Sequence, residues 1–492
     1  MTDALAVNTI DPYIPSSDKP WNAARVRHLY NRLGFGATSA MIAEGLTMSP
    51  MDLVDSLLAS VTEADPPAAP YWANWTVDDY EEEEEGEELY FIHKYEFAGR
   101  WIREMSEPET MVRAKIALFW HNHFVTQEEV YQCNSWMWEY YRLLHVRALS
   151  NFRTFTQEMG LTAAMLVFLN GNQNYADEPN ENYARELMEL FTMGENNGYT
   201  QNDVVEVARA LTGHQVTFDC SPGSFFVPDL HDTGQKTIFG QTGNWNYGDV
   251  HDLIFTLRAS QTAEYICQKI YKHFVHDTVN DAIVAEMATV FQDNDWELAP
   301  VFHLLFKSEH FFEARFINAK IKSPLETFAS LALTTGAQGE EEYSADLTYD
   351  VAFYAERTGQ YIFNPVDVAG WPGQRDWLNE NTMTNRWAFN TQFLYGGIGE
   401  AESVRENLRQ IAIDLTSFSE NDPEVITAAL TEHFLNATLS QTTAAAAVAY
   451  FKSEVPENYF EDGSWNLFYD EVPDQIMNLL YYLLRLPEWQ LA

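Results

Sequence analysis

Five segments set histidine, carboxylate or arginine side chains inside aromatic and apolar patterns, which is where residue type and spacing could do chemistry. The first is Phe119-Trp120-His121-Asn122-His123-Phe124. Histidines two apart chelate together from an extended chain, whereas on a continuing helix they lie about 200° apart and only one faces a given site. His123 continues the stripe of Val112, Ile116, Phe119 and Trp120, so it is expected to point inward. It reads either as a core histidine hydrogen-bonded to a neighbour or as a metal ligand or general base. The second segment runs from Pro179 to Phe191. On a helical wheel its Asn182, Glu186 and Glu189 fall within about 60° of one another. Two carboxylates on one stripe ligate a hard metal, form an acid/base pair or make a solvated face. Glu186 lies at the edge of the apolar arc and is expected to be partly buried, while Glu181 and Arg185 are spaced as an ion pair.

The third segment, from Asp203 to His214, places Glu206 and Arg209 on its polar side and His214 just beyond Gly213. The fourth, Leu230-His231-Asp232-Thr233-Gly234-Gln235-Lys236-Thr237, opens with a His-Asp pair at a glycine turn, where turn formation is the plainer reading. The fifth joins Gly359-Gln360, Asn364-Pro365, Gly370-Trp371-Pro372-Gly373 and Trp377 in a rigid aromatic loop, suited to packing or to a pocket wall. GxGxxG, Walker A, HExxH and GxSxG signatures are absent. The donors therefore suggest a divalent transition metal (Zn, Fe, Mn or Cu) held by His121, His123, Glu186, Glu189, His214 and His231. Glu186, Arg185 and Asp232 are the candidate catalytic groups, with Arg185 or Lys236 available to stabilise developing negative charge.

The elements that must position these residues are mostly helices. Residues 111–120 carry their apolar side chains at helical spacing. Asn180 can cap a helix presenting Tyr183, Leu187, Leu190 and Phe191, closed by Gly194. Thr200-Gln201-Asn202-Asp203 resembles a capping box, with Gly213 ending the helix that follows. Helical patterns recur over 262–274, 281–291, 299–307, 323–335, 404–413, 423–434, 442–452 and 474–486. Residues 214–246 read as irregular chain with one small hairpin, and 359–379 as a second irregular stretch. The expectation is a mainly α, multi-helical globular protein with two long loop regions. A helical core over 1–395 would carry the motifs, and a C-terminal helical segment over 396–492 would pack on it.

The chain has 492 residues, 73 Asp+Glu against 29 Lys+Arg, and a formal net charge of −44. Such a surface repels phosphate backbones and anionic lipid, which excludes nucleic-acid binding and electrostatic membrane docking. Hydrophobic residues at 46% and aromatics at 14% are enough for a large core. Only ten lysines occur, and carboxylate-rich, lysine-poor surfaces suit either high salt or an ordinary acidic secreted protein. Cys133, Cys220 and Cys267 show no CxxC spacing, so a thiolate zinc site is not expected; one disulfide is possible and at least one thiol stays free. No apolar run is long enough for a transmembrane helix, and no leader pattern opens the sequence, which reads as either a cytoplasmic protein or one whose leader has been removed. The acidic run over 78–88 reads as a solvated loop or helix start, and 340–350 is also acid-rich.

Long ordered motifs resemble those of the bacterial family known as domain of unknown function 1800. They include Leu29-Tyr30-Asn31-Arg32-Leu33-Gly34-Phe35-Gly36, FWHNHF, NENYARELMELFTMG, HDTGQKTIFG, Lys322-Ser323-Pro324-Leu325-Glu326, GWPG with Trp377, and Pro487-Glu488-Trp489. The resemblance implies a periplasmic or extracellular protein, often with a twin-arginine leader, and a partner from an exported family encoded beside it. His214 stands where the family pattern has tryptophan. Two functions are then expected: a metal-dependent hydrolytic or oxidative enzyme, or a non-catalytic exported protein that binds a polymer or partner or forms a surface assembly. The 39 Tyr and Trp residues could supply aromatic anchors for the second.

Overall fold

The computed structural model describes residues 9–337 and 346–492. It is 60% helical, and among the described residues β structure is limited to two small two-stranded sheets and four isolated bridges. His214–Gln215 pairs antiparallel with Phe225–Phe226, and Lys236–Ile238 with Gln241–Gly243. The 214–246 region thus holds two short hairpins where the turn signals suggested one. The acidic side chains of 78–88 are exposed, beginning at a capped helix, Val77–Glu81, in which Thr76 and Asp79 form a capping box. Part of the acid-rich 340–350 stretch lies outside the described residues.

Four elements position most of the chemistry-bearing side chains. In the Ala259–Phe274 helix, Ala263, Ile266, Cys267, Ile270, Tyr271 and Phe274 recur at helical spacing and are buried. Tyr265 and Lys269, a turn apart on this helix, are only half-buried, and Lys272 is exposed. The Met111–His121 helix is buried almost throughout and ends at Asn122, so His121 is its last residue and His123 lies in the following turn. The Pro324–Thr335 helix has strong end signals: Ser323 and Glu326 form a capping box, Pro324 takes the first position, and Gly336 closes it at φ +70°. The 359–379 loop is irregular apart from a short 3₁₀ turn, Gln374–Trp377.

One departure from the regular helical pattern alters the placement of the carboxylates. The segment after Asn180 is helical only over Asn182–Glu186, then widens into a π-helical turn, Leu187–Thr192. The Thr192 hydroxyl bonds back to the Leu187 carbonyl at 2.5 Å, five residues earlier. A π turn inserts a residue relative to a 3.6-residue period, so the wheel that aligned Asn182, Glu186 and Glu189 does not hold through Glu189.

The C-terminal segment returns to the middle of the chain. Ala492 and Lys320 exchange backbone hydrogen bonds, and the Lys322 N–H donates to the Gln490 carbonyl. Buried Arg386 donates to the Lys322 carbonyl, the Thr327 hydroxyl and the Gln490 side chain. Residues 320–323, which lead into the Pro324–Thr335 helix, are therefore held by the end of the chain. Among the described residues no helix is long and apolar enough to cross a membrane.

Cys133 and Cys220 form a disulfide across 87 residues, and Cys267 is a buried free thiol. The bond ties the start of the Asn134–Val146 helix to the 214–246 loop region. A closed loop of that length restricts the unfolded chain by about 4–5 kcal/mol in the chain-entropy account. Reduction is therefore expected to lower the denaturation midpoint by an amount close to that of the Cys133→Ser/Cys220→Ser double variant, which itself should not respond to reductant.

Candidate functional site

His121 and His123 both enter the core, on different sides of the helix end. His121 Nδ1–H donates to the Tyr140 hydroxyl at 2.6 Å, and that hydroxyl donates on to the Phe124 carbonyl at 2.8 Å. Its Nε2 accepts the Phe363 N–H at 3.1 Å, so both ring nitrogens are committed. Burial pushes its pKa down to about 3. His123 donates from Nε2 to the Phe191 carbonyl at 3.1 Å and leaves Nδ1 buried without a partner among the described residues. Burial first, then the Lys269 cation, holds its pKa well below the usual value.

Arg185 spans Glu181 and Glu189 at 3.0 and 3.1 Å and also reaches Gln201. Glu186 is half-buried, and burial followed by repulsion from Glu189 raises its pKa. Elsewhere, Asp232 takes Arg209 Nε at 2.7 Å and the Gly234 N–H at 2.7 Å. Burial pulls its pKa up, but Arg209 and these hydrogen bonds prevail and leave it lowered. Lys236 caps the Asp232 and Gly234 carbonyls, and His231 donates from Nδ1 to the Thr212 carbonyl at 3.0 Å. The rings of His214 and His231 both pack on Phe226, and burial pushes the His214 pKa to about 4. The six predicted ligands thus fall into separate neighbourhoods. Among the described residues no three His, Cys, Asp or Glu side chains form a group able to hold a metal ion.

A different set of charged residues converges. A cavity of about 270 Å³ is lined by Lys115, Lys269, Lys272 and Lys320, together with His273, Asp277 and Glu326. Phe119, Trp371 and Trp377 supply aromatic walls, and Asn122, Gln360 and Gln374 polar ones. Four of ten lysines thus meet two carboxylates in one cavity of a chain carrying −44. Lys115 pairs with Glu326, and Lys320 donates to the Lys272 carbonyl at 2.6 Å and lies 3.6 Å from Asp277. Lys269 and Lys272 have no carboxylate partner among the described residues. Burial, then Lys272, lowers Lys269 to about 8; burial, then Arg32, lowers Lys320 to about 8. His273 Nε2 is buried without a hydrogen-bond partner among the described residues, and burial with the Lys115, Lys320 and Arg32 charges pushes its pKa far down. Another cavity, of about 660 Å³ beside Pro179, Asn180 and Glu181, is lined by amides, carboxylates and rings without a cation.

Separate sequence motifs build the lysine cavity. Asn122 of FWHNHF clamps the GWPG loop: its Oδ1 accepts the Trp371 N–H at 2.6 Å and its Nδ2 donates to the Trp371 carbonyl at 3.4 Å. Gly370 makes the approach possible, because a Cβ there would stand 2.3 Å from Asn122 Oδ1 and its φ is +89°. The His121 ring packs edge-on against Trp371. Gln360 accepts the Leu325 N–H at 2.9 Å and Gln374 the Ile321 N–H at 3.3 Å, which fixes the loop to the start of the Pro324–Thr335 helix. Spacing of histidines, glutamates and arginines does not point to these lysines. The available signal was Lys269, Lys272 and His273, spaced three and four apart, in a chain with so few lysines.

Two outcomes are expected. Gly370→Ala should destabilise the fold by about 2–4 kcal/mol in chemical denaturation, through the clash with Asn122 and the positive φ. Nine of the 13 histidines have lowered pKa values with burial as the largest cause. A group protonated more weakly when folded stabilises fully above its unfolded pKa, near 6.5, and loses that contribution as pH falls toward the folded value. Stability should therefore drop below pH 6.5, by about 1.4 kcal/mol per pH unit for each fully buried histidine and by less for the others. His121→Gln should reduce the proton uptake on unfolding by about one between pH 6 and 4, read from the pH dependence of the midpoint.

Residues 28–491 match the family described as a protein of unknown function, DUF1800. No curated protein and no solved structure matches the chain.

Proposed function

We propose, since the chain belongs to the DUF1800 family of proteins of unknown function, that it binds a small anionic ligand bearing a phosphate, sulfate or carboxylate group in the lysine cavity. One observation carries this reading: four lysines gather around a cavity that contributes only two carboxylates, in a chain otherwise dominated by acid. Like charges a few ångströms apart repel by about 1–4 kcal/mol at effective dielectrics of 80 to 20. Lys269 and Lys272 recover none of that from a carboxylate among the described residues, whereas a bound anion would offset it. Aromatic walls lower the local dielectric and strengthen the attraction. The surrounding acid coat gives selectivity, because it repels large polyanions while a small anion can enter the cavity.

The metal-dependent hydrolytic or oxidative reading has the Glu186–Glu189 pair, with its raised Glu186 pKa, as its support. That pair has no third His, Cys, Asp or Glu ligand beside it among the described residues, so the anion reading stands ahead. An exported location is supported by the Cys133–Cys220 disulfide, since such bonds persist in oxidising compartments.

Titration calorimetry with inorganic pyrophosphate in low salt tests the anion reading. Saturable binding is expected, weakening as salt rises, and Lys272→Gln should raise Kd about tenfold without unfolding the protein. Lys272 is exposed, so its replacement leaves the core intact. Absence of saturable binding, or an unchanged Kd in Lys272→Gln, would refute the assignment.

A further inference from the structure

We propose that Lys269 is a carbonyl-reactive amine, so that the cavity takes an anionic aldehyde or ketone and holds it as an imine on Nζ. This rests on the anion-binding reading and names the class of anion. The cavity's lysines divide by what their ammonium groups do. Lys115 is spent on Glu326, and Lys320 on the Lys272 carbonyl and Asp277. Lys269 is different: its Nζ lies 5.6 Å from the Tyr265 ring centroid and has neither an ion pair nor a hydrogen bond within the described chain. It is half-buried and opens onto the cavity, whereas Lys272, one turn further along the helix, is exposed.

A nucleophilic amine must be unprotonated, and desolvation next to another cation is an established way to favour that form. Both conditions are present, and they bring Lys269 to about 8. The groups facing it are Lys272 and Tyr265 from its own helix and His123 from the turn after Met111–His121, which is held neutral. Glu186 and Glu195 act on Tyr265. Lys272, exposed at the cavity rim one turn along the helix, is placed to attract the anionic group and orient the carbonyl.

The chemistry balances without a further reactant. The Nζ lone pair attacks the carbonyl carbon, a C–N bond forms, and the oxygen takes a proton to give a carbinolamine. Loss of the second Nζ proton and departure of the oxygen as water leave the imine. Solvent water carries the protons between Nζ and the departing oxygen, since burial and the neighbouring cations make His273 a weak base.

Pyridoxal 5′-phosphate, used purely as an aldehyde carrying a phosphate, is the probe, with borohydride reduction and peptide mass mapping on the full chain. At pH 8, labelling of Lys269 should exceed that of Lys19, exposed and outside the cavity, by about tenfold or more. It should rise with pH around a midpoint near 8, fall with pyrophosphate, and fall for pyridoxal lacking the phosphate. Lys269→Arg keeps the charge and should abolish the label. Uniform labelling of lysines, or preferential labelling of Lys272, with pyrophosphate binding intact would overturn the amine assignment and leave the anion site standing. Selective Lys269 labelling that pyrophosphate does not affect, with no calorimetric binding, would overturn the anion site and with it the proposed substrate class.

Discussion

The Glu326 carboxylate is the interaction on which the surrounding structure depends. It completes the cap of the Pro324–Thr335 helix by accepting the Ser323 N–H at 2.6 Å, and pairs with Lys115 on the Met111–His121 helix. Burial alone would raise its pKa; Lys115 and the Ser323 N–H reverse this and hold it at about 2. Its negative charge is also felt by Arg32, His273, Lys320, Lys322 and Arg386. One carboxylate thus sits among six basic side chains, and removing it would leave several buried cations without compensation, a costly arrangement in a low-dielectric interior. The same imbalance gives the cavity its positive character. An arrangement that needs Glu326 to exist at all still has cationic charge to spare at Lys269 and Lys272.

The net charge of the protein is unevenly distributed in space. Its acid lies on the surface, as over 78–88, whereas basic side chains gather inside and around one cavity. The two are complementary in effect. In the proposed reading, the lysine cavity takes a small anion from behind an acidic exterior. The Asn122 clamp on Trp371 sets the distance between the aromatic wall and the lysines. His121, a ligand candidate by residue type alone, serves that clamp by accepting the Phe363 N–H and packing on Trp371.

The helical architecture was legible because its signals are local. Ser323-Pro324 with Glu326 and a closing glycine, or Thr200 with Asp203, specify helix ends through hydrogen bonds within four residues. His123 is buried, but from the turn after the Met111–His121 helix rather than along the stripe it was expected to continue. The π turn at Leu187–Thr192 was not legible, since its insertion answers to packing around Phe191 and Met193 rather than to a residue pattern. Nor was the second hairpin, whose Lys236 side chain closes carbonyls that only the folded turn brings together.

By itself the sequence determined the helical class, the family, the acid excess and the residues available for chemistry, all of which follow from composition, short-range periodicity and ordered motifs. Tertiary structure decided which of those residues meet. It committed both nitrogens of His121 and paired Asp232 with Arg209. It also brought Lys115, Lys269 and Lys320, up to 205 residues apart in the numbering, onto one cavity. The reason is physical: capping and amphipathicity act within a turn or two of chain, whereas a site's charge balance is a sum over neighbours that only packing supplies.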